Sequence, residues 1–240
     1  SEVVDHRTWA LVGDGCLQEG VAHEVISLAG HLRLGKLCFL WDDNRMTDDG
    51  HTDFAISEDV RARFRAAGWQ VIDADGHIVE TDSEIKAYLP EPHCKRSGGL
   101  LPSDGIDSLM GGRLGGLEDN DLPTRLRDMD VEGITTSVLF PSNSFRVSQT
   151  MEREYAVSYC RAYNNFISDI CKKNPRLKAV GLVPFQNMIY DAPAVVAEVN
   201  RAISELGLAG ITVSCQGLKE HLGSVMYWPI YEELQRLGAP

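Results

Sequence analysis

Two small groups of residues in this 240-residue chain have types and spacing that suit chemistry. In the first, Asp14 stands between Gly13 and Gly15, and Asn44 follows Gly15 after 28 intervening residues. A carboxylate and an amide oxygen, with backbone carbonyls beside them, are hard donors of the kind that Mg²⁺ or Ca²⁺ takes. Flanking glycines let a backbone approach a phosphate closely. In the second group, Asp75 and His77 lie two residues apart around Gly76. In extended chain their side chains point the same way, so a carboxylate oxygen and an imidazole nitrogen can share a transition metal, with Gly76 leaving room for the ion. As bare spacings, Gly-Asp-Gly also fits an ordinary turn, and Asp-Gly-His fits solvated polar residues at a strand end.

Both groups need strands to place them. Trp9-Ala10-Leu11-Val12 reads as a strand that stops at the Gly13-Asp14-Gly15 turn. Residues 19–34 carry Val21, Val25, Leu28, Ala29 and Leu32 at helical spacing, with Gly35 just past the helix end. Residues 36–41 read as a second strand. Such a βαβ unit sets the C-terminal ends of two parallel strands side by side, about 5 Å apart if adjacent. Open α/β sheets bind ligands at that edge. A helix is predicted over 58–67 and a strand over 69–72, and Ile72-Asp73-Ala74-Asp75-Gly76-His77 ends a strand.

Residues 90–125 are rich in Gly, Pro and short polar residues, including Gly111-Gly112-Arg113-Leu114-Gly115-Gly116. A connection of that length is functional or disordered. Strand and helix then alternate: strands over 135–140, 177–183 and 209–213, and helices over 151–173, 194–206 and 229–237. The 151–173 helix has Tyr159, Tyr163, Phe166, Ile167 and Ile170 on one face, expected to be core. Repeated βα units predict a parallel-sheet α/β architecture.

The first group lies in wording that resembles transketolase. Gly13-Asp14-Gly15-Cys16-Leu17-Gln18-Glu19-Gly20, Ser27-Leu28-Ala29-Gly30-His31-Leu32 and Asp42-Asp43-Asn44-Arg45-Met46-Thr47 carry the resemblance, which covers about residues 5–77. It implies thiamine diphosphate with Mg²⁺ as cofactors, Gly13, Asp14, Gly15, Asn44 and Met46 as the cofactor-binding positions, and Asp14, Asn44 and the Met46 carbonyl as Mg²⁺ ligands. Glu19 would belong to the acidic catalytic network that links the two cofactor sites of a homodimer. In that family the thiamine ring is held by a second domain, and the histidines near the diphosphate come from elsewhere.

The second group opens a stretch that resembles the amidohydrolase-related family, several of whose members are decarboxylases. The resemblance begins at Val71-Ile72-Asp73-Ala74-Asp75-Gly76-His77-Ile78-Val79-Glu80 and covers about residues 70–240. Asp128-Met129-Asp130-Val131-Glu132-Gly133-Ile134, Ser137-Val138-Leu139-Phe140-Pro141, Val183-Pro184-Phe185-Gln186 and Tyr227-Trp228-Pro229-Ile230 extend it. It implies the first half of a (β/α)₈ barrel, its strands near 70, 136, 180 and 211, with Asp75 and His77 as ligands of Zn²⁺ or Mn²⁺ on strand one. The family's further histidine ligand and catalytic aspartate belong to later strands, expected beyond Pro240.

Charge and cysteine usage bound the partners. Lys plus Arg total 23 against 35 for Asp plus Glu, a net charge of −12, which lacks the basic footprint of a nucleic-acid or anionic-membrane partner. A small-molecule substrate fits better. Six scattered cysteines without a CxxC pair read as reduced thiols in a cytoplasmic protein. Cys215 is expected to be inert and His221 a surface residue; Asp42, Asp43, Asp48, Asp49 and Asp53 form a solvated loop. The start at Ser1 and the stop after Leu237-Gly238-Ala239-Pro240 suggest a fragment.

Two domains are therefore expected: a truncated thiamine-diphosphate-binding βαβ segment over 1–70 and a partial barrel over 71–240. Three functional readings follow. The chain is a metal-dependent hydrolase or decarboxylase through Asp75 and His77. Or it transfers two-carbon units between sugar phosphates through Asp14 and Asn44. Or it is a chimera of two incomplete enzymes without catalysis, joined inside the shared segment Val71 to His77 as recombination or misassembly would join them.

Overall fold

The computed structural model describes residues 5–102, 121–213 and 218–240; the Gly111–Gly116 stretch and Cys215 lie outside the described residues. The chain divides into two compact units, one formed by residues up to Val71 with Asp130–Thr135, the other by Ile72–Met129 with Thr136–Pro240.

In the smaller unit, strands β1 (Thr8–Gly13) and β2 (Leu37–Asp42) run parallel, with Gly13 opposite Asp42 at their C-terminal ends. The expected turn at Asp14 is instead the first residue of a short helix, α1 (Asp14–Gln18). Glu19 breaks it with extended backbone, and α2 (Gly20–His31) follows. A two-residue hairpin joins β3 (Met46–Thr47) to β4 (Gly50–His51). Helix α3 (Val60–Ala66) starts at Asp59, whose carboxylate accepts the Ala62 N–H at 2.9 Å, a side-chain N-cap that sets its beginning.

Leu17, Ile26 and Phe64 form the core of this unit, surrounded by Val12, Phe39, Trp41, Trp69 and Val71. Trp69, expected in a strand, packs here instead. Its ring lies 5.0 Å from Phe39 and 5.3 Å from Phe64, centroid to centroid, and its indole N–H donates to the Ile26 carbonyl at 3.0 Å. The helical stripe read from the sequence needs correction too. α2 buries Ile26 and Ala29, while Val21, Val25, Leu28 and Leu32 are exposed, as are Trp9, Leu11 and Leu40 on the strands.

Gly30 permits the contact between α2 and the end of α3, because a Cβ there would overlap the Ala67 carbonyl. Since that neighbour is backbone, Gly30→Ala should cost at least about 1–3 kcal/mol, the usual range for overpacking. Chemical denaturation followed by the fluorescence of Trp41 and Trp69 measures it.

In the larger unit four strands, β5 (Ile72–Ile78), β6 (Thr136–Pro141), β7 (Leu177–Leu182) and β8 (Gly210–Thr212), pair in chain order, all parallel. Helices α4 (Asp82–Lys86), α5 (Leu122–Glu132), α6 (Arg153–Cys171), α7 (Met188–Asn200) and α8 (Trp228–Leu237) intervene and follow. On α6 the predicted face is the core face: Tyr159, Tyr163, Phe166, Ile167 and Ile170 are all buried. α7 is kinked at Asp191, whose carboxylate accepts the Ala194 N–H at 3.1 Å, which explains why the sequence signal begins only at 194. α8 has Pro229 in its first turn and ends at Gly238, whose φ of 66° suits glycine.

Asn164 ties α6 to the end of β7. Its Nδ2 donates to the Leu182 carbonyl and its Oδ1 accepts the Leu182 N–H, both at 2.8 Å. Such pairing meets the needs of backbone groups where the sheet ladder stops. No described helix is long and apolar enough to cross a membrane.

Candidate functional site

At the C-terminal ends of β1 and β2, the structure brings Asp14, Asn44 and Met46 together. Asp14 is 7% exposed. Its Oδ1 accepts the Trp41 indole N–H at 3.0 Å and its Oδ2 accepts the Met46 N–H at 3.2 Å. The same Met46 N–H also reaches the Asn44 Oδ1, at 2.9 Å, so one backbone donor gathers the carboxylate and amide oxygens. Asn44 Nδ2 donates to Asp42 Oδ2 at 3.1 Å, which fixes which end of the amide faces Met46. Arg45 holds this turn at a φ of 59°.

Both recorded partners of the buried Asp14 carboxylate are neutral. Neutral donors do not offset the charge of a carboxylate, whereas a cation would. The donor set of carboxylate, amide and backbone is oxygen-rich and suits Mg²⁺. Burial pushes the neighbouring Asp43 carboxyl up; Arg61 opposes the shift and Asp14 adds to it. A Cβ on Gly13 would meet nothing, so the space above the strand end is open; at Gly15 it would touch only the Thr47 side chain. Glu19 is exposed and forms the N-cap of α2 without a side-chain capping bond.

The second pair lies at the end of β5, as the strand reading of Ile72 to His77 expects. Asp75 Oδ1 and His77 Nε2 are 3.6 Å apart, with side chains 91% and 39% exposed. The strand is irregular here: its pairing with β6 shifts register between Asp73 and Gly76. Asp73 bridges the irregularity. Its Oδ1 accepts the Asp75 N–H at 3.0 Å, and its Oδ2 accepts the Ser137 hydroxyl at 2.7 Å. Bulges of this kind re-aim a side chain. Gly76 has a different role from the one expected. A Cβ there would run into the Ser137 Oγ, the Asp73 carboxylate and the Val138 carbonyl, so the missing side chain makes room for β6 rather than for an ion.

Around His77 stand residues the spacing did not single out. Its Nδ1 lies 3.2 Å from the Ser142 Oγ, and its carbonyl accepts a bond from Arg125 Nη2 at 2.6 Å. Burial pulls the Arg125 guanidinium down in pKa, with Asp73 and Asp128 opposing. Glu80, three residues on, is buried. Burial pushes its carboxyl up against the lowering effect of the Ser144 and Ser142 donors. The available signal is a glutamate directly after the apolar Ile78-Val79. Among the described residues no three His, Cys, Asp or Glu side chains converge as an ion-holding group, so Asp75 and His77 form a pair only.

The sequence comparison matches the beginning of the chain and runs past the boundary between the two units at Val71. Residues 1–93 match the family model described as the transketolase thiamine diphosphate binding domain. The transketolase of Cereibacter sphaeroides is 52% identical over 88 residues, which are 37% of this chain and 13% of that protein. That of Sinorhizobium medicae (strain WSM419) is 56% identical over 80 residues, 33% of this chain and 12% of the relative. The chain thus spans about an eighth of the length of these curated relatives.

Among solved structures, the 5-carboxyvanillate decarboxylase of Novosphingobium aromaticivorans, complexed with manganese and a nitrobenzoic acid, superposes with a TM-score of 0.52 at 22% identity. The match covers 72% of this chain and 49% of that one. The likeness is one of fold. The chain is thus similar to transketolases in its first part and to this decarboxylase in fold over much of its length.

Proposed function

We propose that the larger unit is a metal-dependent decarboxylase or hydrolase module of the amidohydrolase-related type, its sheet being the first four strands of a (β/α)₈ barrel. Asp75 and His77 would hold Mn²⁺ or Zn²⁺. The observation that carries this reading is the 3.6 Å approach of Asp75 Oδ1 to His77 Nε2 at the C-terminal end of the first strand. Barrels of this architecture keep their chemistry at that end.

The donors fit: a carboxylate oxygen and an imidazole nitrogen suit either ion, and the Ser142 hydroxyl at Nδ1 is the second partner that metal-binding histidines usually have. When bound, the metal polarises a substrate carbonyl or carboxylate, or activates water. The protein's own contribution is to bind the ion, orient His77 through Ser142 and Arg125, and leave Asp75 open to the solvent side from which a small acid or amide arrives. Two protein donors need further ligands to complete a catalytic site.

The first test is metal content. The full chain, dialysed against Mn²⁺ and then metal-free buffer, should retain about one equivalent, and His77→Ala should lose it. Protein that retains none would overturn this assignment and favour a chimera without catalysis.

A second reading stands on the smaller unit, where a buried carboxylate that accepts from the Trp41 indole and the Met46 N–H lies beside an amide oxygen. There Asp14, Asn44 and the Met46 carbonyl would hold Mg²⁺ and the diphosphate of thiamine diphosphate, the equipment for two-carbon transfer between sugar phosphates. In extended chain the N–H and C=O of one residue point to the same edge, so the Met46 carbonyl belongs on the side its N–H already gives to Asp14. Glu19 would act only across a homodimer interface.

A further inference from the structure

Glu80 follows Asp75 and His77 in a pattern, Asp-x-His-x-x-Glu, that invites its assignment as a third metal ligand. The structure gives its oxygens other work. Oε2 accepts the Ser142 N–H at 3.1 Å, and Oε1 accepts the Ser144 N–H. Its backbone carbonyl accepts Asn143 Nδ2 at 2.9 Å. Three consecutive residues past the end of β6 are thus held by one glutamate, 2% exposed. Ser144 is fixed a second time, its hydroxyl lying 2.9 Å from the Tyr159 hydroxyl on α6. Ser142, the first residue of this turn, is the one whose hydroxyl meets His77 Nδ1.

We propose that Glu80 is a positioning residue: by clasping the Ser142–Ser144 turn it sets the Ser142 hydroxyl to accept the His77 Nδ1–H, which leaves Nε2 bare and facing Asp75. A bare Nε2 is what a metal at this pair requires, and the hydrogen bond at the other nitrogen decides which nitrogen is bare. The inference rests on the reading of His77 as a metal ligand. The orientation of the ring, however, can be measured without any metal.

The experiment uses the full chain with ¹⁵N-labelled histidine, metal-free, at about pH 8, where ordinary imidazoles are neutral. Nitrogen–proton correlation spectra report the tautomer of each of the seven histidines, and His77→Gln identifies the signal of interest. Wild-type protein should show His77 protonated at Nδ1. Ser142→Ala should move it to a mixture or to the Nε2-protonated form, and Ser142→Thr, which keeps a hydroxyl, should restore it. Ser142→Ala leaves the backbone anchored, because the Ser142 N–H is also shared with the Ile78 carbonyl at 3.1 Å. Glu80→Gln turns one acceptor into a donor, so Ser142 or Ser144 loses its partner and the His77 signal should move as in Ser142→Ala.

Mn²⁺ affinity should fall about tenfold to a hundredfold in Ser142→Ala and Glu80→Gln, the usual effect of losing an outer partner of a ligand. A His77 protonated at Nε2 in the wild type, or one indifferent to both substitutions, would overturn the proposal. If the tautomers behave as stated but wild-type protein takes up no Mn²⁺, the metal reading fails and the positioning role stands.

Discussion

Glu198→Ala should lower the stability of the larger unit by about 3–5 kcal/mol, the range observed when one partner of a buried charge network is removed. Glu198 is 2% exposed and carries four bonds. It accepts Arg161 Nη1 at 2.8 Å, Arg201 Nη2 at 2.7 Å, Arg201 Nε at 2.8 Å and Asn164 Nδ2 at 2.8 Å. Without it, Arg201, whose side chain is only 13% exposed, loses the carboxylate that pairs with it and keeps the neutral Asn165 Oδ1 at 2.8 Å. Asn164 loses one of the bonds that orient it toward Leu182.

Arg161 is half exposed and can turn to water, so its share of the loss is small. Glu198→Gln keeps the shape and part of the hydrogen bonding and should cost clearly less. Tryptophan fluorescence is the wrong probe here, since three of the four tryptophans, Trp9, Trp41 and Trp69, belong to the smaller unit. Hydrogen exchange at the Leu182 amide, which donates to Asn164, reads the effect directly. A loss under about 1 kcal/mol would mean that burial of this glutamate contributes no more than an ordinary surface pair.

The order of strands and helices was legible because periodicity reports which residues share a face. Tyr159, Tyr163 and Phe166 were placed correctly on that basis, since α6 has one strongly apolar side and the sheet covers it. Periodicity does not report what lies opposite that face. α2 is apolar on more than one side, with Val21, Val25 and Leu28 as well as Ile26 and Ala29, and the core forms on the side where Leu17 and Phe64 meet it. Trp69 and Val71 read as strand because they are β-formers next to Ile72. Two aromatic neighbours, Phe39 and Phe64, and an indole hydrogen bond outweigh that preference, and the strand begins only at Ile72, where Trp69 and Val71 already belong to the other core.

At the two sites, spacing succeeded where geometry is local and failed where it depends on a third strand or loop. Residues two apart on a strand share a side, and Asp75 and His77 do approach. The role of Gly76 could not be read from its neighbours in sequence, because the groups that require it, Ser137 and Val138, come from β6. Ser142 and Glu80 were hidden for the same reason: 62 residues separate the carboxylate from the N–H it accepts. The Asp14–Asn44 pairing was visible because parallel strands bring their ends together. That Trp41 and Met46 supply the donors to Asp14 was not, since an indole N–H and a backbone N–H leave no mark in the spacing of acidic residues.

On the reading of Asp14 as a Mg²⁺ ligand, thiamine diphosphate with Mg²⁺ should stabilise the smaller unit, and Asp14→Asn should abolish that stabilisation while leaving the apo fold close to wild type. At a hundredfold excess over Kd a ligand that binds only the folded state contributes about 2.7 kcal/mol. The carboxylate charge is the part of Asp14 that a cation uses; an amide of the same shape still offers one oxygen to a neighbouring donor. Asp14→Ala separates the structural role from the ligand role. It leaves the Trp41 indole N–H without an acceptor, at a cost of about 1–3 kcal/mol, whereas the Met46 N–H keeps Asn44 Oδ1 at 2.9 Å. Thermal melts followed by tryptophan fluorescence suit this unit, because Trp41 touches Asp14 itself. Wild-type protein whose midpoint ignores the cofactor and Mg²⁺ together would show that the Asp14–Asn44–Met46 cluster is retained geometry without retained binding. Equal ligand shifts in wild type and Asp14→Asn would place the binding elsewhere in the chain.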